Sequence, residues 1–214
     1  MEEAVNYNKY LLSLVSSRAK KDETIIDFGA GLGTFARELA KNGYRVHCIE
    51  QDSRQTKSII AAGLPVSRSL DDIDENTVDY LYTLNVLEHI EDDMEMLRRI
   101  YNKIRPGGKL LIYVPAFQVL FSSMDRKVGH YRRYTKKNLI KMLRRAKFDV
   151  EDAKYVDSLG FLASLYFRFA GNDSGSLNRK ALIIYDRLIF PLSRFCDFCS
   201  AYSFGKNLVI FAKK

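Results

Sequence analysis

The chain has 214 residues, of which 47% are hydrophobic and 28% charged, with a formal net charge of +8. That length and balance predict one soluble globular domain, residues 1–214, with a good core, and exclude disordered and fibrous classes. Its three cysteines give no disulfide framework, and residues 1–21 carry early acids and no apolar core of signal length, so the expected compartment is a reducing cytoplasm.

A helix is predicted at 5–17. Ile25-Ile26-Asp27-Phe28 is an apolar β-rich run that stops at Gly29-Ala30-Gly31-Leu32-Gly33, and a helical pattern over 33–42 starts directly after it. A strand, a glycine turn and a helix N-terminus form the standard seat of a nucleoside-type cofactor in an open α/β sheet. A second strand, 44–49, ends at Glu50, where a carboxylate can accept both ribose hydroxyl protons. The third glycine falls one residue earlier than in the dinucleotide pattern, with Thr34 in its place. Asp27 would repel a pyrophosphate at the helix N-terminus but would attract the cationic sulfonium and amino groups of S-adenosylmethionine (SAM).

Further along, strands are expected at 65–67, 78–83, 109–114, 149–156 and 207–213, with helices at 53–62, 91–104 and 135–147. The alternation predicts a parallel sheet. Asp92 and Asp93 open one helix and Arg98, Arg99, Lys103 and Arg105 close it, matching the macrodipole. Pro106-Gly107-Gly108 then stops that helix. The connection from 115 to 134 is longer than the sheet needs, and long connections tend to be functional.

Together these segments resemble class I SAM-dependent methyltransferases of the broad type-11 group. The resemblance rests on Ile26 to Gly33, on Cys48-Ile49-Glu50, on Val78 to His89, and on Leu97 through Pro106-Gly107-Gly108 to Ile112, with residues 208–213 similar to the last strand of that fold. It implies a Rossmann-like seven-stranded, mostly parallel sheet with helices on both faces. It also implies SAM as cofactor and S-adenosylhomocysteine as product. The expected cofactor residues are Asp27, Gly29, Ala30, Gly31, Gly33, Glu50, Gln51, Ser69, Leu70, Leu84 and Asn85, the last beside the methionine part of SAM.

Methyl transfer mainly requires alignment and exclusion of water, with a base for a hydroxyl or amine acceptor. His47, inside the second strand, reads as structural. His89, after the fourth strand, reads as a loop support or a base. His130 lies in Asp125-Arg126-Lys127-Val128-Gly129-His130-Tyr131-Arg132-Arg133-Tyr134, similar to a cluster in a subgroup of the type-11 enzymes. His130, His89 and Tyr131 are the candidate catalytic residues. Arg132, Arg133 and Tyr134 are candidate contacts for an anionic acceptor, because guanidinium groups bind phosphate or carboxylate bidentately. The competing expectation is a loop pinned by arginine–acid pairs.

Residues 158–204 form an apolar insertion before the last strand, read as two amphipathic helices with a break at 171–176. Lys180, Arg187 and Arg194 recur every seven residues on the second. No charge-free run there reaches the length of a membrane span, so the insertion is expected to be a lid, a peripheral membrane contact at the inner face, an added layer of core, or a contact with a second copy of the chain. Cys196-x-x-Cys199 reads as part of an apolar helix face, and no metal is expected.

Residues 98–147 hold fifteen Lys/Arg and one acid, against nineteen and twenty-five elsewhere. Such a patch attracts polyanions, but the fourth strand ends Thr83-Leu84-Asn85-Val86, without the Pro-Pro-aromatic pattern of base-amine methylation, so nucleic acid is not the expected partner. The resulting expectation is O-methylation of a small-molecule or lipid-linked acceptor, such as a phosphorylated saccharide or a quinone precursor. RNA or protein methylation, or a non-catalytic SAM-binding subunit, are the alternatives.

Overall fold

A computed structural model of the protein describes residues 4–169 and 179–214. The side chains of Phe167, Phe169 and Lys180, and the predicted break at 171–176, lie outside the described residues. The strands are β1 (Thr24–Phe28), β2 (Arg45–Ile49), β3 (Val66–Ser67), β4 (Val78–Leu84), β5 (Ile104–Pro115), β6 (Asp149–Val156) and β7 (Asn207–Lys213). The helices are α1 (Val5–Ser16), α2 (Thr34–Lys41), α3 (Ser53–Ala61), α4 (Asp93–Lys103), α5 (Ser123–Val128), α6 (Lys136–Arg145), α7 (Ser158–Phe169), α8 (Arg179–Ile184) and α9 (Phe190–Ser200).

The strands form one seven-stranded sheet in the order β3-β2-β1-β4-β5-β7-β6. Neighbours from β3 to β5 run parallel, while β7 pairs antiparallel with both β5 and β6. Both faces are covered, which is why β1, β4 and β5 read as continuous apolar runs. On one face Leu11, Leu14, Ala36, Leu39 and Ile59 pack on Ile25, Tyr80, Tyr82 and Tyr113. On the other, Leu97, Ile100, Leu139 and Leu143 pack on Ile26, Leu81, Ile112 and Ile210. The chain leaves β1 toward β2 on one side and returns through β4 on the other, so a crevice opens at the carboxyl ends of β1 and β4.

Local chemistry sets the helix starts. The Asp52 carboxylate accepts from the Arg54 and Gln55 amides at 2.7 and 3.0 Å, opening α3. Asp92 accepts from the Glu95 amide at 2.9 Å, opening α4. The helix stops at Lys103, but Pro106-Gly107-Gly108 is not a free turn. It lies inside the extended run of β5, with Gly107 at φ +77° and its N–H donating to the Lys214 carbonyl at 2.9 Å.

The insertion is helical, as expected, and its inner face is fixed by buried acids. Asp186 accepts from the amides of Asn6 and Tyr7, both at 2.9 Å, so it caps α1 from far along the chain. Asp197 accepts from the amides of Asp157 and Ser158, both at 2.9 Å, and so caps α7. Each carboxylate satisfies orphan N–H groups and meets the positive end of a helix dipole. Phe190 is 2% exposed and packs edge-on against Tyr7, ring centroids 5.6 Å apart.

Two expectations for the insertion are corrected. A π-helical turn over Tyr185–Ile189 breaks the seven-residue recurrence of the basic residues. Arg187 is exposed, but Arg194 is turned inward, over the Tyr10 ring at 3.8 Å and paired with Asp197 at 2.9 Å. Cys199 is exposed rather than part of a packed face. The outer face instead carries Leu188, Leu192, Phe195, Phe198 and Tyr202, with Phe195 80% and Phe198 92% exposed.

Candidate active site

A cleft of about 1180 Å³ lies at the carboxyl ends of β1, β2 and β4. Asp27, Gly29, Ala30, Gly31, Glu50, Gln51, Leu84 and Asn85 line it, together with Asn8, Gln55, His89 and Met96. Gly29, Gly31 and Gly33 have φ of +78°, +58° and +75°, so the turn is left-handed at every second residue. A Cβ on Gly29 would collide with the Val86 side chain, so this glycine is required by space as well as by conformation. Gly33 does not line the cleft; it precedes α2 and packs toward Ile59.

Asp27 is 3% exposed on the cleft wall. Its Oδ2 has no hydrogen-bond partner among the described residues. Burial, with Glu50 adding repulsion, pushes its carboxyl up to about 7. The Tyr82 hydroxyl is near enough to oppose that shift, but it falls short of hydrogen-bond geometry and is itself unpartnered. Glu50 accepts the Gly31 amide at 2.8 Å and the Asp52 amide at 2.9 Å, which fixes its carboxylate at the end of β2. Asn85 sits at φ +56°, and its Nδ2 donates to the Tyr7 hydroxyl at 3.3 Å, linking the β4 edge to α1.

Ser69 and Leu70 do not reach the cleft. Ser69 caps the short turn Leu70–Asp72, and Leu70 is buried in the core. His47 bonds the Ser67 hydroxyl at 2.9 Å, the structural role expected of it.

The 115–134 connection closes on itself. Ala116 bridges Tyr134, and the Phe117 amide donates to the Tyr134 carbonyl at 2.8 Å. Arg132, Arg133 and Tyr134 each contact an acid of the protein itself, the arrangement of a loop pinned by arginine–acid pairs. Arg133 forks onto Asp125 with two contacts of 2.9 Å. Arg132 pairs with Asp93 at 2.8 Å and donates to the Glu91 carbonyl at 2.7 Å. Tyr134 is 3% exposed, and its hydroxyl donates to Asp93 at 2.8 Å. Burial pushes the Asp125 carboxyl up, but hydrogen bonds from His130 and Arg133 outweigh it and hold the group well below the carboxylate range. Tyr131 is 51% exposed, and its amide donates to the Glu88 carbonyl at 2.8 Å.

His130 binds Asp125 through Nδ1 at 2.7 Å and does not line the cleft. Its ring meets His89 edge-on, centroids 4.6 Å apart. His89 is therefore the histidine on the cleft, and burial, then the neighbouring His130, lowers its pKa. Several contributors escaped the sequence reading, among them Gln55 and Met96 on the cleft wall. Tyr7 and Asn8 arrive from α1, where no local pattern marks them. Glu88 had one signal, an acid beside a histidine directly after the fourth strand.

The 3-2-1-4-5-7-6 sheet, the left-handed glycine turn and the two acids ending β1 and β2 define the class I SAM-dependent methyltransferases. The chain belongs to the methyltransferase-domain family, whose model matches residues 3–153. Phosphoethanolamine N-methyltransferase 2 of Caenorhabditis elegans is 32% identical over 110 residues, covering 44% of this chain and 24% of that protein. The ubiquinone biosynthesis O-methyltransferase of Rickettsia felis is 32% identical over 96 residues, covering 41% of this chain and 39% of that one. The chain thus spans less than half the length of these curated relatives. A solved SAM-dependent methyltransferase from Archaeoglobus fulgidus superposes with a TM-score of 0.67 at 18% identity, covering 100% of this chain and 95% of that one.

Proposed function

We propose that the protein transfers a methyl group from SAM to a hydroxyl of a small-molecule or lipid-linked acceptor. The observation that carries the cofactor assignment is Asp27, a buried carboxylate with an unpartnered oxygen on the wall of the cleft. A cationic ligand satisfies it; a pyrophosphate does not. SAM supplies a methyl group on a sulfonium, a leaving group that needs no acid. Glu50 would hold the ribose hydroxyls, the Gly29–Gly31 turn would admit the ligand against the backbone, and Asn85 would face its methionine part. His89, whose pKa is lowered by burial, would take the acceptor proton.

Two features favour a small-molecule or lipid-linked acceptor over a nucleic acid. The first is the outer face of α9 and the π-turn before it, where Leu188, Leu192, Phe195 and Phe198 are exposed beside Arg187. Such a face suits a peripheral membrane surface or a lipid tail. The second concerns the basic stretch. Arg98, Arg99, Arg105, Lys109, Arg132 and Arg133 are each paired with an acid, which reduces the field available to a polyanion. Among the described residues, no helix is long and apolar enough to cross a membrane.

The test is transfer of tritium from methyl-labelled SAM into cell extract divided into lipid, small-molecule, RNA and protein fractions. Label in the lipid or small-molecule fraction is expected. Label confined to RNA or protein would refute the acceptor class, and no label anywhere would leave only a SAM-binding role.

A further inference from the structure

The described residues bring Glu88, His89 and His130 together, with one ligand atom from each within 4.8 Å of the others. Glu88 is 0% exposed, and neither of its carboxylate oxygens has a hydrogen-bond partner. His130 Nε2 stands 3.8 Å from Glu88 Oε1, too long for a hydrogen bond. A buried carboxyl group with both oxygens orphaned is costly unless something absent from the protein itself satisfies it.

The histidines complete the pattern. His130 uses Nδ1 on Asp125 at 2.7 Å, which leaves Nε2 directed at Glu88. The Gly129 main chain lies on the Nδ1 side of the His89 ring. A carboxylate or main-chain partner on one ring nitrogen, with the other left bare, is how proteins orient imidazole toward a metal. The two segments meet where the Tyr131 amide donates to the Glu88 carbonyl at 2.8 Å and the Tyr134 hydroxyl donates to the Leu87 carbonyl at 3.1 Å.

We propose that Glu88, His89 and His130 form a site for one divalent transition-metal ion of the Zn²⁺ type at the edge of the cofactor cleft. Two imidazole nitrogens and one carboxylate match the donor set of three-ligand zinc sites, which keep a further position open. Bonds of about 2.0–2.2 Å place neighbouring ligands roughly 3.3 Å apart, so the three side chains close by about an ångström on binding. His89 lines the cleft, so the open position would serve an oxygen acceptor and lower the pKa of its hydroxyl. In that state His89 is a ligand and not a base. This consequence rests on the methyltransferase reading; the metal site does not.

The experiment uses the full chain carrying Cys196→Ser and Cys199→Ser, to silence the thiols. After dialysis against chelator, the protein is titrated with Co²⁺, read by its visible absorption, and with Zn²⁺, read by calorimetry. One ion per chain is expected. Glu88→Gln and His130→Gln should each weaken binding at least tenfold, and Asp125→Asn by about 10–100-fold, because its carboxylate orients the His130 ring. SAM affinity, measured on every variant, reports whether the fold is intact. The site is refuted by a protein that binds SAM but no metal, or by undiminished metal binding in both Glu88→Gln and His130→Gln. Metal binding without SAM binding would leave the site standing and remove the proposed function.

Discussion

Asp27→Asn should trade cofactor affinity for stability of the empty protein. The wild-type carboxyl is raised from an ordinary 3.8 to about 7, chiefly by burial. Between those values the folded state holds a proton that the unfolded chain has lost, so stability falls as pH rises through this window and stays low above it. The ceiling on that loss is about 4 kcal/mol, at ~1.36 kcal/mol per pKa unit. Relaxation and water entry should leave about 1–3 kcal/mol of it. Asn keeps the shape and carries no charge. Urea unfolding without cofactor should therefore show D27N more stable than wild type at pH 8, by a margin that narrows steadily toward pH 4. Calorimetry at pH 8 should show the opposite order for SAM, with D27N at least tenfold weaker, about the value of a lost charged hydrogen bond. Wild-type SAM affinity should also fall by up to about fivefold between pH 7 and pH 6 as Asp27 protonates. Equal stability of the two proteins at pH 8, or equal SAM affinity, would refute the argument that an uncompensated Asp27 charge awaits a cationic ligand.

Glu50→Ala should weaken SAM tenfold or more, since a lost hydrogen bond to a charged group amounts to ~1.5–3 kcal/mol; unchanged calorimetry would overturn the ribose assignment. Gly29→Ala combines a φ of +78° with a collision against Val86, and a loss of about 2 kcal/mol or more should lower the thermal midpoint by roughly 4–8 °C. Arg133→Ala leaves buried Asp125 without its fork, and removing one partner of such a pair costs about 3–5 kcal/mol; a denaturation midpoint equal to wild type would show the pair to be idle. Because Asp125 is held below its ordinary value, its contribution should be lost as pH falls through and below 3.8. Flotation with anionic liposomes should recover the wild-type protein and not Phe195→Ser/Phe198→Ser, with recovery reduced at high salt; wild-type protein that stays in solution would count against the lipid contact.

The strands, the glycine turn and Glu50 at the end of β2 were legible in the sequence because each is a local property. Burial on both faces makes β1 and β4 read as apolar runs. Left-handed backbone favours glycine at Gly29 and Gly31, and Asp92 marks the start of α4. Side chains whose roles depend on distant partners were not legible. Arg132 and Arg133 look like a free anion clamp in one dimension, but Asp93 and Asp125 reach them only after the 115–134 connection folds back on β4. The same closure brings His130 to Glu88. Arg194 belonged to a basic stripe by spacing alone; one π-helical turn broke that recurrence and left the aromatic residues outside. Sequence by itself determined where this chain turns and which stretches are buried. Tertiary structure decided which charges are satisfied at home and which, at Asp27 and Glu88, are left for a ligand, because pairing across the chain depends on three-dimensional distance rather than on sequence pattern.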